Sequence, residues 1–160
     1  QTVDCRGVVK DCLNLLEPMR EDRGLRVENS LARESSSHVR ADETRLRQVI
    51  INLISNAIRY NHEKGSVTIK GSQPVPGFFR ISVEDTGQGI PNHEQANVFH
   101  LFHQVGNHPD LATDGTGIGL YVSKLLIEKM DGKIGFESTD GVGSTFWIDL
   151  PLAVSQGVSE

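Results

Sequence analysis

The stretch ADETRLRQVIINLISNAIRYN, Ala41 to Asn61, decides the architecture. Asp42 is a natural helix N-cap, and Glu43 adds an acid to the first turn, where the helix dipole favours it. Ile50 to Ile58 reads IINLISNAI, a core-like run interrupted by Asn52, Ser55 and Asn56. Residues four apart share a helix face, so Asn52 and Asn56 fall in one stripe with Arg45, Gln48 and Arg59. Asparagine is a mediocre helix former because it competes for backbone hydrogen bonds. Two of them among Ile and Leu call for a partner. The stripe either faces water, or it is a strip of carboxamides and guanidinium facing a polyphosphate and its metal. Amide oxygens are suitable hard ligands for Mg²⁺, which keeps several waters and takes few protein groups.

The flanking segments surround this helix with strands. RGVVKDCLNLLEPMRED is near helical spacing over 7–22, with Pro18 as a kink or break. GLRVENSL reads as a short strand after Gly24. GSVTIKG and GFFRISVED read as two strands joined by the turn-rich SQPVP. Residues 92–98 suggest a short helix, and 99–114 a long loop. Residues 117–130 read as a helix. GKIGFES and GSTFWIDL then form a hairpin across TDGVG. This order predicts an α/β two-layer sandwich, a mixed sheet covered on one face by about three helices. Residues 1–152 form one domain in this reading, and 153–160 a flexible tail.

The bulk properties agree. The 160 residues carry 16 Lys and Arg against 21 Asp and Glu, a net charge of -5. That balance, with no basic block, argues against a nucleic-acid surface. No apolar run approaches the length of a membrane span and no signal peptide opens the chain. A start at Gln1 rather than Met suggests a piece of a longer protein. If the first helix reaches back to Cys5, then Cys5 and Cys12 lie roughly 10 Å apart along it, too far for a disulfide. Reduced thiols of this kind suit a cytosolic setting.

Two glycine-rich stretches remain. VEDTGQGIP, Val83 to Pro91, ends a strand on Asp85 and follows it with Gly87 and Gly89. It is either a surface turn or a place where an acid accepts a hydrogen bond from the amino group of a flat ring. DGTGIGLYVSKLLIEKM, Asp114 to Met130, places Gly115, Gly117 and Gly119 at the mouth of a helix. It is not a Walker loop, because no Gly-Lys-Ser/Thr follows, and Leu120 stands where the dinucleotide fingerprint has its third glycine. Backbone N–H groups and a helix N-terminus still suit an anion, although a loop built for tight packing reads the same way.

Taken in order, the motifs resemble those of sensor histidine kinases. RLRQVIINLISNAIRYN is similar to their N box, DTGQGIP to the first glycine box and VFHLFHQV to the phenylalanine box. GTGIGL is similar to the second glycine box and GVGSTFWIDLP to the closing strand. The resemblance runs from about Val3 to Pro151, and GTGIGLYVSKLLIEKMDGKIGFES is similar in wording to the hybrid sensor kinases. It implies the ATP-binding sandwich shared with gyrase, Hsp90 and MutL, with a flexible ATP lid. By position, the resemblance makes Asn56 the Mg²⁺ ligand and puts Asn52 where ATP-hydrolysing relatives carry a glutamate base. Arg59 takes a phosphate-facing lysine position, so Asn52, Asn56 and Arg59 are the implied catalytic set. Tyr60 lines the adenine pocket, Asp85 receives the adenine amino group, and Gly87, Gly89 and Ile90 shape that wall. Phe99 and Phe102 anchor the lid. Gly115, Thr116, Gly117, Ile118, Gly119 and Leu120 wrap the phosphates, and Thr145 helps close the adenine site.

The implied function is a histidine kinase catalytic domain for two-component signal transduction. It binds Mg·ATP and donates the γ-phosphoryl group to a histidine on a separate helical dimerisation domain, with a response regulator or receiver domain downstream. The domain is expected to be cytoplasmic without membrane contact of its own, whether or not its parent is anchored. Neutral Asn52 cannot take a proton from water, which argues against the alternative of an ATP hydrolase of this fold. A non-catalytic nucleotide-responsive module is the other alternative. The family's phosphoacceptor segment, of the type S-H-E-L-R-T-P, is absent here. His93, His100, His103 and His108 lie near Asp110, but their spacing matches no common zinc signature. Asn61 replaces the usual Thr or Ser, with little consequence expected. From Ile81 through Ser123 there is no Lys or Arg.

Overall fold

The computed structural model describes residues 1–33, 37–100 and 119–153. Its centre is helix α3 (Glu43–Arg59), preceded by β1 (Thr2–Asp4), α1 (Cys5–Leu15), α2 (Glu17–Arg23), β2 (Arg26–Asn29), a 3-10 turn at Ser30–Arg33 and β3 (His38–Arg40). After it come β4 (Ser66–Ser72), β5 (Phe78–Asp85), the short α4 (Asn92–Gln95), α5 (Gly119–Lys129), β6 (Lys133–Thr139) and β7 (Gly143–Pro151). The main sheet has the order β2-β4-β5-β7-β6, with β2 parallel to β4 and the other pairs antiparallel. Helices cover one face, as expected for the two-layer sandwich, and α3 packs between α1 and α5.

Side-chain parity explains the layering. Val67 and Ile69, Phe79, Ile81 and Val83, and Ile148 and Leu150 alternate along β4, β5 and β7 and are all buried. They meet Leu46, Val49, Ile50, Leu53, Ile54, Ala57 and Ile58 of α3 in a single core. Asp42 caps α3 as its sequence position predicts, its Oδ1 accepting from the Arg45 N–H at 3.0 Å. On the other face Arg80 makes a two-pronged ion pair with Asp149, at 2.7 and 2.9 Å, and lies 3.7 Å over the Trp147 ring.

The predicted first helix is two helices. Asp4 caps α1, which therefore starts at Cys5, and the chain breaks at Leu16. Pro18 sits in the first turn of α2, where its missing N–H leaves no helical bond unmade. Cys5 and Cys12 are both buried and free. Burial pushes their thiols up to about 12 and about 11, so both keep their protons. The antiparallel pair β1–β3 was not anticipated, because three-residue strands carry too little alternation to recognise. The short helix expected over 92–98 covers only Asn92–Gln95, and the last helix begins at Gly119. The expected loop after His100 and the tail from 154 lie outside the described residues.

Ile54 is fully buried at the middle of α3, whereas Leu15, at the end of α1, is 63% exposed. Ile54→Ala is therefore expected to cost about 2–5 kcal/mol and Leu15→Ala within about 0.5 kcal/mol, read from urea denaturation midpoints.

Candidate functional site

A pocket opens where the C-terminal half of α3 meets the loop after β5. Asn56, Ala57 and Tyr60 form one side, and Asp85, Gln88, Gly89 and Ile90 the second. Leu120 of α5 and Ser144 and Phe146 of β7 complete it. The loop is pinned from both directions. The Gln88 N–H donates to the Tyr60 carbonyl at 3.3 Å, and the Gly141 N–H donates to the Gln88 carbonyl at 2.7 Å. A side chain at Gly87 would collide with the Tyr60 carbonyl. Gly89 has φ of 71° and lies tight against the Thr139 carbonyl, so neither position accepts a Cβ without moving backbone.

Asp85 is the polar centre of this pocket. Its Oδ1 accepts two backbone N–H bonds, from Gly87 at 2.8 Å and Ser144 at 3.3 Å. Among the described residues no donor is assigned to its other oxygen. Burial pushes the carboxyl up to about 6; the backbone donors of Gly87 and Ser144 pull it down, Glu84 pushes it up and His62 pulls it down. The acid is thus ionised at neutral pH, but desolvated and short of donors, a good acceptor for a ring amino group.

Behind the loop stands Asn61, only 4% exposed. Its Nδ2 donates to the Ser66 carbonyl at 2.9 Å, and its Oδ1 accepts from the His62 N–H at 2.8 Å and from Thr86 Oγ1 at 3.2 Å. The residue expected to matter little therefore ties the end of α3 to β4 and to the residue after Asp85. Arg23 Nη2 donates to the Asn61 carbonyl and joins α2 to the same corner.

The polar stripe of α3 divides in two. Arg45 and Gln48 face water. Further along, Arg59 Nη1 donates to Asn56 Oδ1 at 3.2 Å, at the rim of the pocket. Asn52 does not line the pocket. Its Nδ2 donates to buried Ser123 Oγ at 3.1 Å, and its carboxamide lies directly against Gly119, the first residue of α5. Lys124, the first cation after the basic-free stretch, is paired with Glu128 at 3.5 Å.

Other expectations fall differently. Thr145 lies on the sheet face opposite the pocket, because β7 alternates and Ser144 and Phe146 take the inward positions. The assignment is corrected to Ser144, which strand parity with the apolar Phe146 could have identified. Phe99 packs edge-on against Phe136 and Phe146, at 5.8 and 6.3 Å between centroids, and those two rings stack at 5.4 Å. Phe102, Gly115, Thr116, Gly117 and Ile118 lie outside the described residues, as do His103 and His108. Among the described residues no three His, Cys, Asp or Glu side chains gather as a metal site. Ala57, Gln88 and Phe146 were missed: nothing in their residue types marks them, and only the fold brings them to the cavity.

The profile of the histidine kinase-, DNA gyrase B- and HSP90-like ATPases matches residues 41–154. The chain belongs to this family. The sensor protein GacS of Pseudomonas syringae pv. syringae is 37% identical over 150 residues, which cover 92% of this chain and 16% of GacS. The aerobic respiration control sensor protein ArcB of Escherichia coli is 36% identical over 151 residues, covering 94% of this chain and 19% of ArcB. The structure of full-length ShkA in complex with AMPPNP superposes with a TM-score of 0.80 at 32% identity, covering 97% of this chain and 31% of that one. The chain thus spans under a fifth of these curated relatives. It is an ATPase domain of the sensor histidine kinase type, and its pocket at Asp85 is the candidate nucleotide site of such a domain.

Because its folded-state pKa lies above the usual carboxylate value, Asp85 favours folding fully only below about pH 4, and that contribution is lost as the pH rises through about 6. Asp85→Asn should therefore gain stability relative to the wild type between pH 4.5 and 7.5, in denaturant titrations without nucleotide. At pH 8 the same substitution should weaken ATP by about 1.5–3 kcal/mol and GTP by less, since guanine carries a carbonyl in place of the amino group. Unchanged ATP affinity in competition binding would remove Asp85 from base recognition.

Proposed function

We propose that this domain binds Mg·ATP and donates its γ-phosphoryl group to a histidine on a separate helical dimerisation domain, in a two-component relay that passes on to a receiver domain. The observation that carries this reading is that one pocket is lined both by a desolvated acid, Asp85, and by Asn56, whose Oδ1 accepts from Arg59. An amino-bearing ring at Asp85 leaves a phosphate chain to extend toward Asn56. A cytoplasmic location, where ATP is available, belongs to the same proposal. Among the described residues no helix is long and apolar enough to cross a membrane.

The residues present fit Mg²⁺. Asn56 offers one neutral amide oxygen, and its present partner is the cationic Arg59, so that oxygen already accepts from a positive group. Mg²⁺ keeps several waters and takes few protein groups beside phosphate oxygens, so one carboxamide oxygen is compatible with it. When bound, it would neutralise phosphate charge. Arg59 adds a guanidinium suited to phosphate oxygens, and the start of α5 adds backbone donors.

Asn52 accounts for transfer rather than hydrolysis. It is neutral, its Nδ2 donates to Ser123, and its carboxamide packs against Gly119. Asn52 itself is no proton acceptor for a water, and it braces α5 against α3. Phosphoryl transfer then depends on positioning and charge neutralisation, with the acceptor brought from outside.

The isolated domain is expected to bind ATP without becoming phosphorylated or releasing phosphate appreciably. Radiolabelled ATP with and without a supplied histidine domain checks this, and rapid phosphate release by the domain alone would sink the reading. Arg59→Ala should cost about 1.5–3 kcal/mol in ATP binding and less in ADP binding, by calorimetry with and without Mg²⁺. Equal ATP affinity in mutant and wild type would reject the charge assignment.

A further inference from the structure

The floor of the adenine pocket rests on a hydroxyl that does not line it. Ser138 of β6 pairs across the sheet with Ser144 of β7, and their Oγ atoms are 2.8 Å apart. Ser138 Oγ also accepts from the Ile90 N–H at 2.8 Å and reaches the Gly143 carbonyl at 3.1 Å. Gln95 holds the other side, its Nε2 donating to the Ile90 carbonyl at 3.0 Å and to the Ser138 carbonyl at 3.3 Å. The Ile90 backbone is therefore held from two directions.

A serine hydroxyl has one proton and two lone pairs. Ile90 fills one lone pair of Ser138. The Gly143 carbonyl can only accept, so it takes the Ser138 proton. The remaining lone pair of Ser138 then receives the Ser144 proton. This assignment serves every group in the cluster. It also points the Ser144 hydrogen away from the cavity and leaves lone pairs as the only polar feature its hydroxyl offers there. Ser144 is 92% buried and its own N–H is bound to Asp85, so the residue has little freedom to turn. The wall beside Asp85 becomes two adjacent acceptors.

We propose that Ser138 is a positioning residue for base selection, setting the Ser144 hydroxyl as an acceptor so that the pocket takes a purine with a 6-amino group and rejects one with a 6-carbonyl. This rests on the assignment of the pocket as the adenine site. An exocyclic amine supplies two N–H donors to a wall of acceptors, whereas a carbonyl oxygen meets lone pairs on both residues. Without the Ser138 hydroxyl, Ser144 is free to turn its proton into the cavity and donate to a 6-carbonyl.

The test is the ratio of IDP to ADP dissociation constants, measured at pH 8 by calorimetry for wild type, Ser138→Ala, Ser138→Thr, Ser144→Ala and the Ser138→Ala/Ser144→Ala double variant. The wild type should prefer ADP strongly. Ser138→Ala should narrow the ratio by about tenfold, the effect of one hydrogen bond turned from repulsive to attractive, and Ser138→Thr should restore it. In the Ser144→Ala background, Ser138→Ala should leave the ratio unchanged. A merely structural role for Ser138 would weaken both nucleotides in proportion, with no change in ratio, and that result overturns the inference. If Ser138→Ala does not fold, an undiminished ratio in Ser144→Ala does the same, because Ser138 acts only through that hydroxyl. Failure of the wild type to bind either nucleotide would instead overturn the adenine-site reading itself.

Discussion

One half-buried carboxylate organises the site. Asp85 lies at the end of β5, where it has lost most of its water, and two backbone N–H groups from separate segments close on one of its oxygens. A desolvated acid is costly unless its donors are supplied. Here Gly87 and Ser144 supply two. The same bonds draw the loop after β5 and the start of β7 together, so the tertiary contact and the binding function are one arrangement. The glycines around it follow from that closeness: the backbone of Tyr60 touches Gly87 and that of Thr139 touches Gly89.

The surroundings of Asp85 are held by polar clusters rather than by packing alone. Asn61 and Thr86 fix the loop to α3 and β4. Ser138, Ser144 and Gln95 fix it to the β6–β7 hairpin and carry the connection to α4. Beyond them the rings of Phe99, Phe136 and Phe146 join the residues after α4 to the pocket wall.

The phosphate end is sparing with charge. Asn56 and Arg59 satisfy one another, and Lys124, the first cation after the basic-free stretch 81–123, is paired with Glu128. Asn52 is spent on holding α5. A triphosphate there would meet few fixed cations, which agrees with the proposed transfer of its terminal group. The neutral side chain of Asn52 agrees with the same proposal.

Much of this was legible in the amino-acid order. The α3 stripe, its Asp42 cap, the hairpin strands and Asp85 followed by glycines are local features: helix period, strand period and turn chemistry act over a few residues. The ordered motifs therefore led to the sandwich and to Asn56, Tyr60 and Asp85 in one pocket. What the order could not reveal depended on contacts between distant segments. Pro18 marked a break, but only packing decided that α2 begins there. Thr145 and Ser144 are neighbours of similar chemistry, and the register of β7 against β5 alone puts Ser144 inward. Asn61 looked incidental until the fold brought Ser66 and Thr86 to its amide. Ser138 ends the quoted stretch GKIGFES without marking a site; its proposed role arises because pairing across β6 and β7 sets its hydroxyl against Ser144 and Ile90. Hydrogen-bond direction between such residues is a property of three-dimensional proximity, which no spacing along a chain encodes.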